Sequence, residues 1–423
     1  MATVVNIEPI QPLQQQDSNA DSSFARDPSS SAGDGLSTPT TPPPPAPYAI
    51  DKYGFYISQD DQQLAPVELD DRDVETQRQE EQWWMTQIRN YRCVRGNPHR
   101  HASRRGSTTS PGHADQKNGT GATDKGATPS PRQEHHECLT SRANGPYSPG
   151  SPNALQRAIL KDIRYRIRKG IRLPIVRRVV WPFLTGSLDA PQGRYRELCA
   201  GPIPFESNEV ILRDLPRTFP THCLYVGFDS VGQSALHRVL TAYCNLDPEV
   251  GYCQGMGFVV SVLLLHMPEE GAFWTFAQMM RGKQFDMRRL FLPGFPLLQQ
   301  FFVILRRILR DMLPVLANHL EDQNVDVSFF ASQWFLTLFA YQFPVPVLCR
   351  LWDLFFSEGW KFMFRVTVAL LQWDMHKLVQ MRMEDILMFL KTIHEGKDVA
   401  EIVERSLEVP INESDLQVDI TSF

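Results

Sequence analysis

"GYCQGMGFVVSVLLLHM", Gly251 to Met267, sets two glycines around one polar amide and then turns apolar from Phe258 onward. Glycines at 251 and 255 suit a tight turn or a close backbone approach better than a continuing helix. The apolar run behind them is about half a membrane span and reads as a buried helix. The turn itself leaves three readings open. Cys253 is a nucleophile, Gln254 reaches out to something, or Gln254 merely caps the helix that follows.

The rest of the chain from residue 153 has the same texture. In "SPNALQRAILKDIRYRIRKG", Asn153 stands at a cap position, and Leu155, Ile159, Ile163 and Ile167 recur every four residues. Gly170 then sits where a helix C-terminus favours glycine. The apolar periodicity predicts further helices over 230–243, 254–265, 271–280, 296–309, 312–320, 327–339, 345–355, 363–379 and 383–393. Pro174 and Pro182 break the segment between 171 and 186. Alternating strand-like runs are missing, so the fold class is all-α, built of many short helices with proline-marked connections.

Composition divides the chain. Residues 1–50 hold "STPTTPPPPAP", an extended proline run read as a solvated tail, with an SH3 or WW ligand as the minor alternative. Residues 51–92 take up a short aromatic cluster, "YAIDKYGFYI" (Tyr48–Ile57). They continue into a Glu/Gln/Arg-rich helix whose Trp83, Trp84, Ile88 and Tyr91 form one face, which needs the main body to dock on. Residues 93–152 are a second polar, basic, Ser/Pro-rich insert, and with the tail they are too poor in large apolar side chains to offset the entropy of ordering. In this insert Ser107 follows Arg104-Arg105 and Ser110 precedes proline, as kinase sites do. Phosphate there would recruit an adaptor. His135 to Cys138, "HHEC", are too crowded to wrap one metal ion. Residues 153–423 form the single folded domain.

A net charge of −5 and the absence of a recognition motif give nucleic-acid binding no support. Seven singly placed cysteines and an N-terminus without a basic, apolar leader point to reduced thiols in the cytoplasm. Membrane contact is then peripheral. The basic run Arg164, Arg166, Arg168, Lys169 and Arg172 is a solvated helix face or a patch for anionic lipid or an acidic surface.

Three stretches place polar residues in apolar or proline-punctuated surroundings: "VRRVVWPFL", "ILRDLPRTFP" and the opening turn. On spacing alone, Asp214 and Arg217 are a pair that closes a loop. In order, however, Arg177-x-x-x-Trp181, Ile211-x-x-Asp214-x-x-Arg217 and Tyr252-Cys253-Gln254-Gly255-Met256 resemble the signatures of the TBC domain of Rab GTPase-activating proteins. "HLEDQNVDVSFFASQWFLTLFAYQFP" and "RLWDLFFSEGWKFMFRVTVALL" resemble that domain's C-terminal half. The chain departs from the pattern at Arg178, where glycine is usual, and at Gly257, where Asn or Asp is common.

The resemblance implies a single TBC domain of two helical subdomains. It implies an activator without substrate chemistry of its own, acting in vesicle-mediated transport with recruitment to endomembranes. Its partner would be a GTP-bound Rab-type GTPase that brings GTP and Mg²⁺, so no cofactor is carried here. Arg217 matches the arginine finger, whose planar charged fork lysine cannot reproduce. Gln254 matches the glutamine finger, whose amide can both accept from and donate to a water. Arg177, Trp181, Asp214, Tyr252 and Gly255 become supporting or partner-binding residues, with Asp214 holding either its own loop or Arg177. Two rivals remain. One is a thiol hydrolase using Cys253 with His222 or His266, and the other is a TBC-like scaffold that binds a GTPase without activating it.

Overall fold

A computed structural model of the chain describes residues 49–50, 56–57, 71–96, 152–191, 193–227 and 230–417. Most of the tail and insert, with Ser107, Ser110 and the "HHEC" cluster, lie outside the described residues. The aromatic segment contributes β1 (Ala49–Ile50) and β2 (Tyr56–Ile57), a minimal antiparallel ladder pairing Ala49 with Ile57 and Ile50 with Tyr56. Every other regular element among the described residues is a helix. The first helices are α1 (Asp71–Gly96), α2 (Pro152–Lys169) and α3 (Arg177–Thr185). Then come α4 (Arg194–Ala200), α5 (Phe205–Asp214), α6 (Val231–Leu246), α7 (Met256–Leu264), α8 (Glu269–Arg281) and α9 (Arg288–Phe291). The C-terminal half holds α10 (Pro296–Met312), α11 (Pro314–Asp322), α12 (Ser328–Leu336) and α13 (Val345–Glu358). It closes with α14 (Trp360–Trp373), α15 (Met375–Leu378), α16 (Met383–Lys391) and α17 (Val399–Glu408).

Contacts sort these helices into two groups. In the first, α6, α7 and α8 pack on one another, with α4 and α5 against α6 and α3 against α8. In the second, α13, α14 and α17 pack mutually, α10 lies on α11 and α12, and α16 on α12. The groups meet where α13 touches α2 and α3, and where α9 touches α10, within one continuous apolar core.

Two departures from the periodic pattern have local causes. Pro182 does not end α3 but sits inside it, where it removes one helix hydrogen bond while its ring, with Val180 and Trp181, is buried. The helix expected to reach residue 339 stops at Leu336, because Leu338 and Phe339 take φ of 50° and 65°, a left-handed turn that a helix cannot contain.

The seam between the halves is held by a buried carboxylate. Asp353, on α13, accepts from Arg177 Nε at 3.0 Å, Arg177 Nη2 at 2.8 Å and Trp181 Nε1 at 2.8 Å. Arg177 also donates to the Ile171 carbonyl at 3.2 Å. So the first-motif arginine pairs with Asp353, not Asp214. Arg177 and Trp181 are also buried beyond the reach of a partner.

Helix α1 docks on α2 and α3. Trp84 and Ile88 are buried, the Trp83 ring lies under the Arg166 guanidinium at 4.9 Å, and Tyr91 meets Phe183 edge-on at 5.1 Å. Glu80 accepts the Arg172 N–H at 3.2 Å. Arg178, the departure from the family pattern, points to α1 and pairs with Glu81 at 3.7 Å. The basic run is thus partly engaged within the fold, since Arg168 also pairs with Glu358 at 2.8 Å.

Trp84→Ala is expected to destabilise the chain by about 3–5 kcal/mol in chemical unfolding, as large buried aromatics do. Its exposed neighbour serves as the control, and Met85→Ala should stay within about 0.5 kcal/mol. Asp353→Ala, which strands a buried guanidinium, should cost about 3–5 kcal/mol.

Candidate functional site

Arg217 closes the 3₁₀ turn Leu215–Arg217 that continues directly from α5. Pro216 favours such a turn because its φ is already fixed near the helical value. The turn presents Arg217 to solvent with its side chain 46% exposed, while Asp214 beneath it is buried. Asp214 Oδ1 accepts from Arg217 Nη2. Its other oxygen accepts from the Tyr252 hydroxyl at 2.6 Å. The Thr218 hydroxyl donates to the Asp214 carbonyl at 2.8 Å, tying the residue after Arg217 back to the helix end. One carboxylate therefore holds the arginine turn and the start of the glutamine turn together.

The second turn is fixed at both ends. At its foot, the Gly251 N–H donates to the Asp247 carbonyl at 2.9 Å. The buried Asp247 carboxylate takes Arg288 Nε at 2.8 Å and Nη2 at 3.2 Å. Burial alone would raise this carboxyl's pKa. The Arg288 hydrogen bonds and charge, helped by Arg281, outweigh that and hold it below the ordinary value. At the other end, Gly255 takes φ of 104° as the residue before α7, and the Met256 N–H donates to the Cys253 carbonyl at 3.2 Å. A Cβ on Gly255 would come within 3.5 Å of Thr337 Cγ2 in a conformation that side chains avoid. The turn therefore lies close on the C-terminal end of α12, at Leu336 and Thr337.

Gln254 is exposed at the tip and does not cap α7, which has no side-chain cap. Its amide has no hydrogen-bond partner among the described residues, so donor and acceptor both face outward. Gly257 leaves room for the link below it, because a Cβ there would approach the Tyr252 hydroxyl to 3.3 Å and Thr218 Oγ1 to 3.6 Å.

The thiol reading finds no support in this geometry. Burial, with the Asp214 charge adding to it, pushes the Cys253 thiol up to about 11, away from the thiolate a nucleophile needs. His266 lies elsewhere, with Nε2 3.0 Å from Cys349 Sγ and its ring 4.7 Å from Trp181. Burial, with Arg177 nearby, brings its pKa down to about 3. His222 Nδ1 accepts the Leu224 N–H at 3.1 Å. Among the described residues no group of three or more His, Cys, Asp or Glu could hold a metal, and no helix is long and apolar enough to cross a membrane.

Sequence reasoning missed Asp247, Arg288 and Asp353. Asp353 had a visible signal, a single carboxylate inside the apolar run "RLWDLFF". Asp247 and Arg288 had none, since their pairing depends on bringing α9 under the end of α6.

In this helical domain the turns bearing Arg217 and Gln254 are linked through the buried Asp214 carboxylate. Residues 174–379, a little under half of the chain, match the model of the Rab-GTPase-TBC domain, and over this segment the chain is similar to that family. It is 38% identical over 234 residues to the human ecotropic viral integration site 5 protein homolog, covering 55% of this chain and 28% of that one. It is 35% identical over 250 residues to the Rab GTPase-activating protein tbc-11 of Caenorhabditis elegans, covering 56% and 26% respectively. The chain thus spans about a quarter of the length of these two relatives. The crystal structure of the Ypt/Rab-GAP domain of Gyp1p is 22% identical with a TM-score of 0.51, covering 59% of this chain and 91% of that domain, a likeness of fold.

Tyr252→Phe removes the donor to a buried carboxylate oxygen and should cost about 1–3 kcal/mol of stability in urea unfolding. Cys253→Ser, which alters no link between the two turns, should stay within about 1 kcal/mol in the same measurement.

Proposed function

We propose that this chain is a GTPase-activating protein for a Rab-type small GTPase, with Arg217 and Gln254 completing the partner's active site in trans. One observation carries the reading. Two exposed side chains of the right chemistry, a guanidinium and a free amide, stand on turns joined through Asp214. The match of residues 174–379 to the Rab-GTPase-TBC domain and the naming of tbc-11 as a Rab GTPase-activating protein support it.

GTP and Mg²⁺ come with the partner in its GTP-bound form. Hydrolysis there is slow because charge spreading over the transferring phosphoryl group is incompletely stabilised and the attacking water is loosely held. A guanidinium supplied in trans is worth roughly 10³–10⁵ in rate. Arg217 commits one nitrogen to Asp214, which orients the planar group and leaves its other donors for the phosphate oxygens. The Gln254 amide accepts from the water with its oxygen and donates with its nitrogen, and so aligns the attack. Asp214, Tyr252 and Gly255 position these groups without touching the nucleotide, and Arg177 and Trp181 act one layer deeper, through the seam. The chain makes and breaks no bond of its own. Its site of action is the membrane on which the partner GTPase resides.

Purified Rab GTPases loaded with GTP, each tested with the full chain, measure this directly. Wild type should accelerate at least one of them. Arg217→Ala should lower that acceleration about 10³-fold and Gln254→Ala about 10²-fold, whereas Cys253→Ser should leave it within about twofold. If wild type accelerates none, or Arg217→Ala keeps full activity, the reading is wrong.

A further inference from the structure

A cavity of about 250 Å³ opens where α1, α2, α3 and the end of α13 come together. Its apolar walls are Leu160 and Ile163 of α2, Phe183 of α3, Leu188 of the 3₁₀ turn Ser187–Asp189, and Phe356 of α13. Tyr91 of α1 closes one side. The volume lies below the roughly 300–1,000 Å³ of sites for drug-sized ligands, so it fits a smaller body. No residue of the Arg217, Asp214 and Gln254 cluster lines it. Helices α1 and α2 also end before residue 174, where the match to the Rab-GTPase-TBC domain begins. The cavity is thus walled in part by segments outside that match.

The polar groups of the lining are unevenly matched. Its charged members are Arg92, Asp189 and Arg164. Arg92 and Asp189 neutralise one another at 2.6 Å. The exposed Arg164 guanidinium makes no hydrogen bond or ion pair with a described residue. Glu358, which follows the cavity wall on α13, is already taken by Arg168 at 2.8 Å and Arg365 at 3.4 Å. Gln284 donates its amide to the Phe356 carbonyl at 3.0 Å. Ser357 lines the cavity and is only 8% exposed, yet its hydroxyl has no partner among the described residues. A hydroxyl so deeply placed ordinarily has one. The cavity therefore offers apolar walls, one uncompensated cation and one idle donor.

We propose that this cavity binds a small anionic amphiphile, in its simplest form a medium-chain carboxylate. Its apolar chain lies against Ile163, Leu188 and Phe356, and its oxygens accept from Arg164 and Ser357. A guanidinium offers a carboxylate two parallel donors, and removing the chain from water supplies the rest of the affinity. A neutral chain leaves Arg164 uncompensated, and a bare anion leaves the apolar walls uncovered. The site does not depend on the function proposed above. Its position gives occupancy a consequence for the fold. Phe356 rests on Trp181 with ring centres 5.2 Å apart, so the ligand joins α1, through Tyr91, to the seam at Asp353. A ligand held only by the docked arrangement stabilises it by mass action.

The test is equilibrium dialysis of the full chain against octanoate, with 1-octanol and acetate as the two halves of the ligand. Octanoate should bind with a dissociation constant of about 1 mM or tighter, and each half about tenfold more weakly. Arg164→Glu should weaken octanoate about fivefold or more, and Leu188→Trp, which fills the cavity, should abolish its binding. Arg157→Glu is the control, making the same charge change at an exposed position of α2 that does not line the cavity. It should stay within about twofold of wild type. Octanoate should also raise the melting temperature of wild type and of Arg157→Glu, but not that of Arg164→Glu at the same concentration.

Arg164 is exposed and unpaired, so its variant keeps the fold and decides the matter even where Leu188→Trp does not fold. No retained octanoate at about 10 mM, well above the predicted constant, overturns the proposal. Equal binding of 1-octanol overturns it as well, since the cation then plays no part. An equal loss in Arg157→Glu does the same, because the attraction is then the diffuse charge of α2 and not the cavity.

Discussion

The two halves of the domain are joined at the Asp353 carboxylate, which is fully buried and accepts three N–H bonds from α3. Taking such an ion out of water costs several kcal/mol, and the arrangement is tolerable only with each donor in place. Helices α3 and α13 therefore cannot slide past one another without stranding a charge. The preceding residue extends the constraint, since Trp352 Nε1 donates to the Leu338 carbonyl at 3.0 Å. Leu338 lies in the left-handed turn that ends α12, and Leu336 and Thr337 just before it are what Gly255 packs on. The seam thus backs the turn that presents Gln254.

Asp214 repeats the device at smaller scale. It is a buried carboxylate with one oxygen for each of two chain segments, and it joins Arg217 to the stretch carrying Gln254. Side chains on two separate turns would otherwise move independently. A shared acceptor beneath them fixes their relation while leaving both tips exposed. Gly257 is consistent with this, since any side chain there would crowd the Tyr252 hydroxyl.

How much of this was legible in the sequence depended on burial. Helices α2, α7 and α10 announced themselves because their apolar residues recur at helical spacing or run without break into the core. Helix α5 did not, because Phe205 and Leu212 face outward while Ile211 is buried, and prolines stand at both ends. The motif residues Arg217, Gln254, Asp214 and Tyr252 were all named, but what joins them was open. Asp214 was offered two partners, and it takes its own loop, while Arg177 takes a carboxylate far down the chain. Such choices depend on which helices meet, which local pattern does not encode. Arg178 is the instructive case. Against the family pattern it looked like a blemish, and the structure makes it a tie to α1, an element that lies outside the family match.

The central proposal is that Arg217 and Gln254 complete a GTPase's active site in trans, with Gln254 taking over the water alignment that a GTPase ordinarily asks of its own glutamine. Its most direct test is single-turnover hydrolysis by a stimulated GTPase whose own catalytic glutamine has been replaced by leucine. If Gln254 aligns the water, the wild-type chain still accelerates that GTPase strongly, and Gln254→Ala abolishes the acceleration. If stimulation vanishes with the GTPase's own glutamine while Gln254 is intact, the water is aligned from the other side of the interface. The account given for the "GYCQGM" turn would then be wrong.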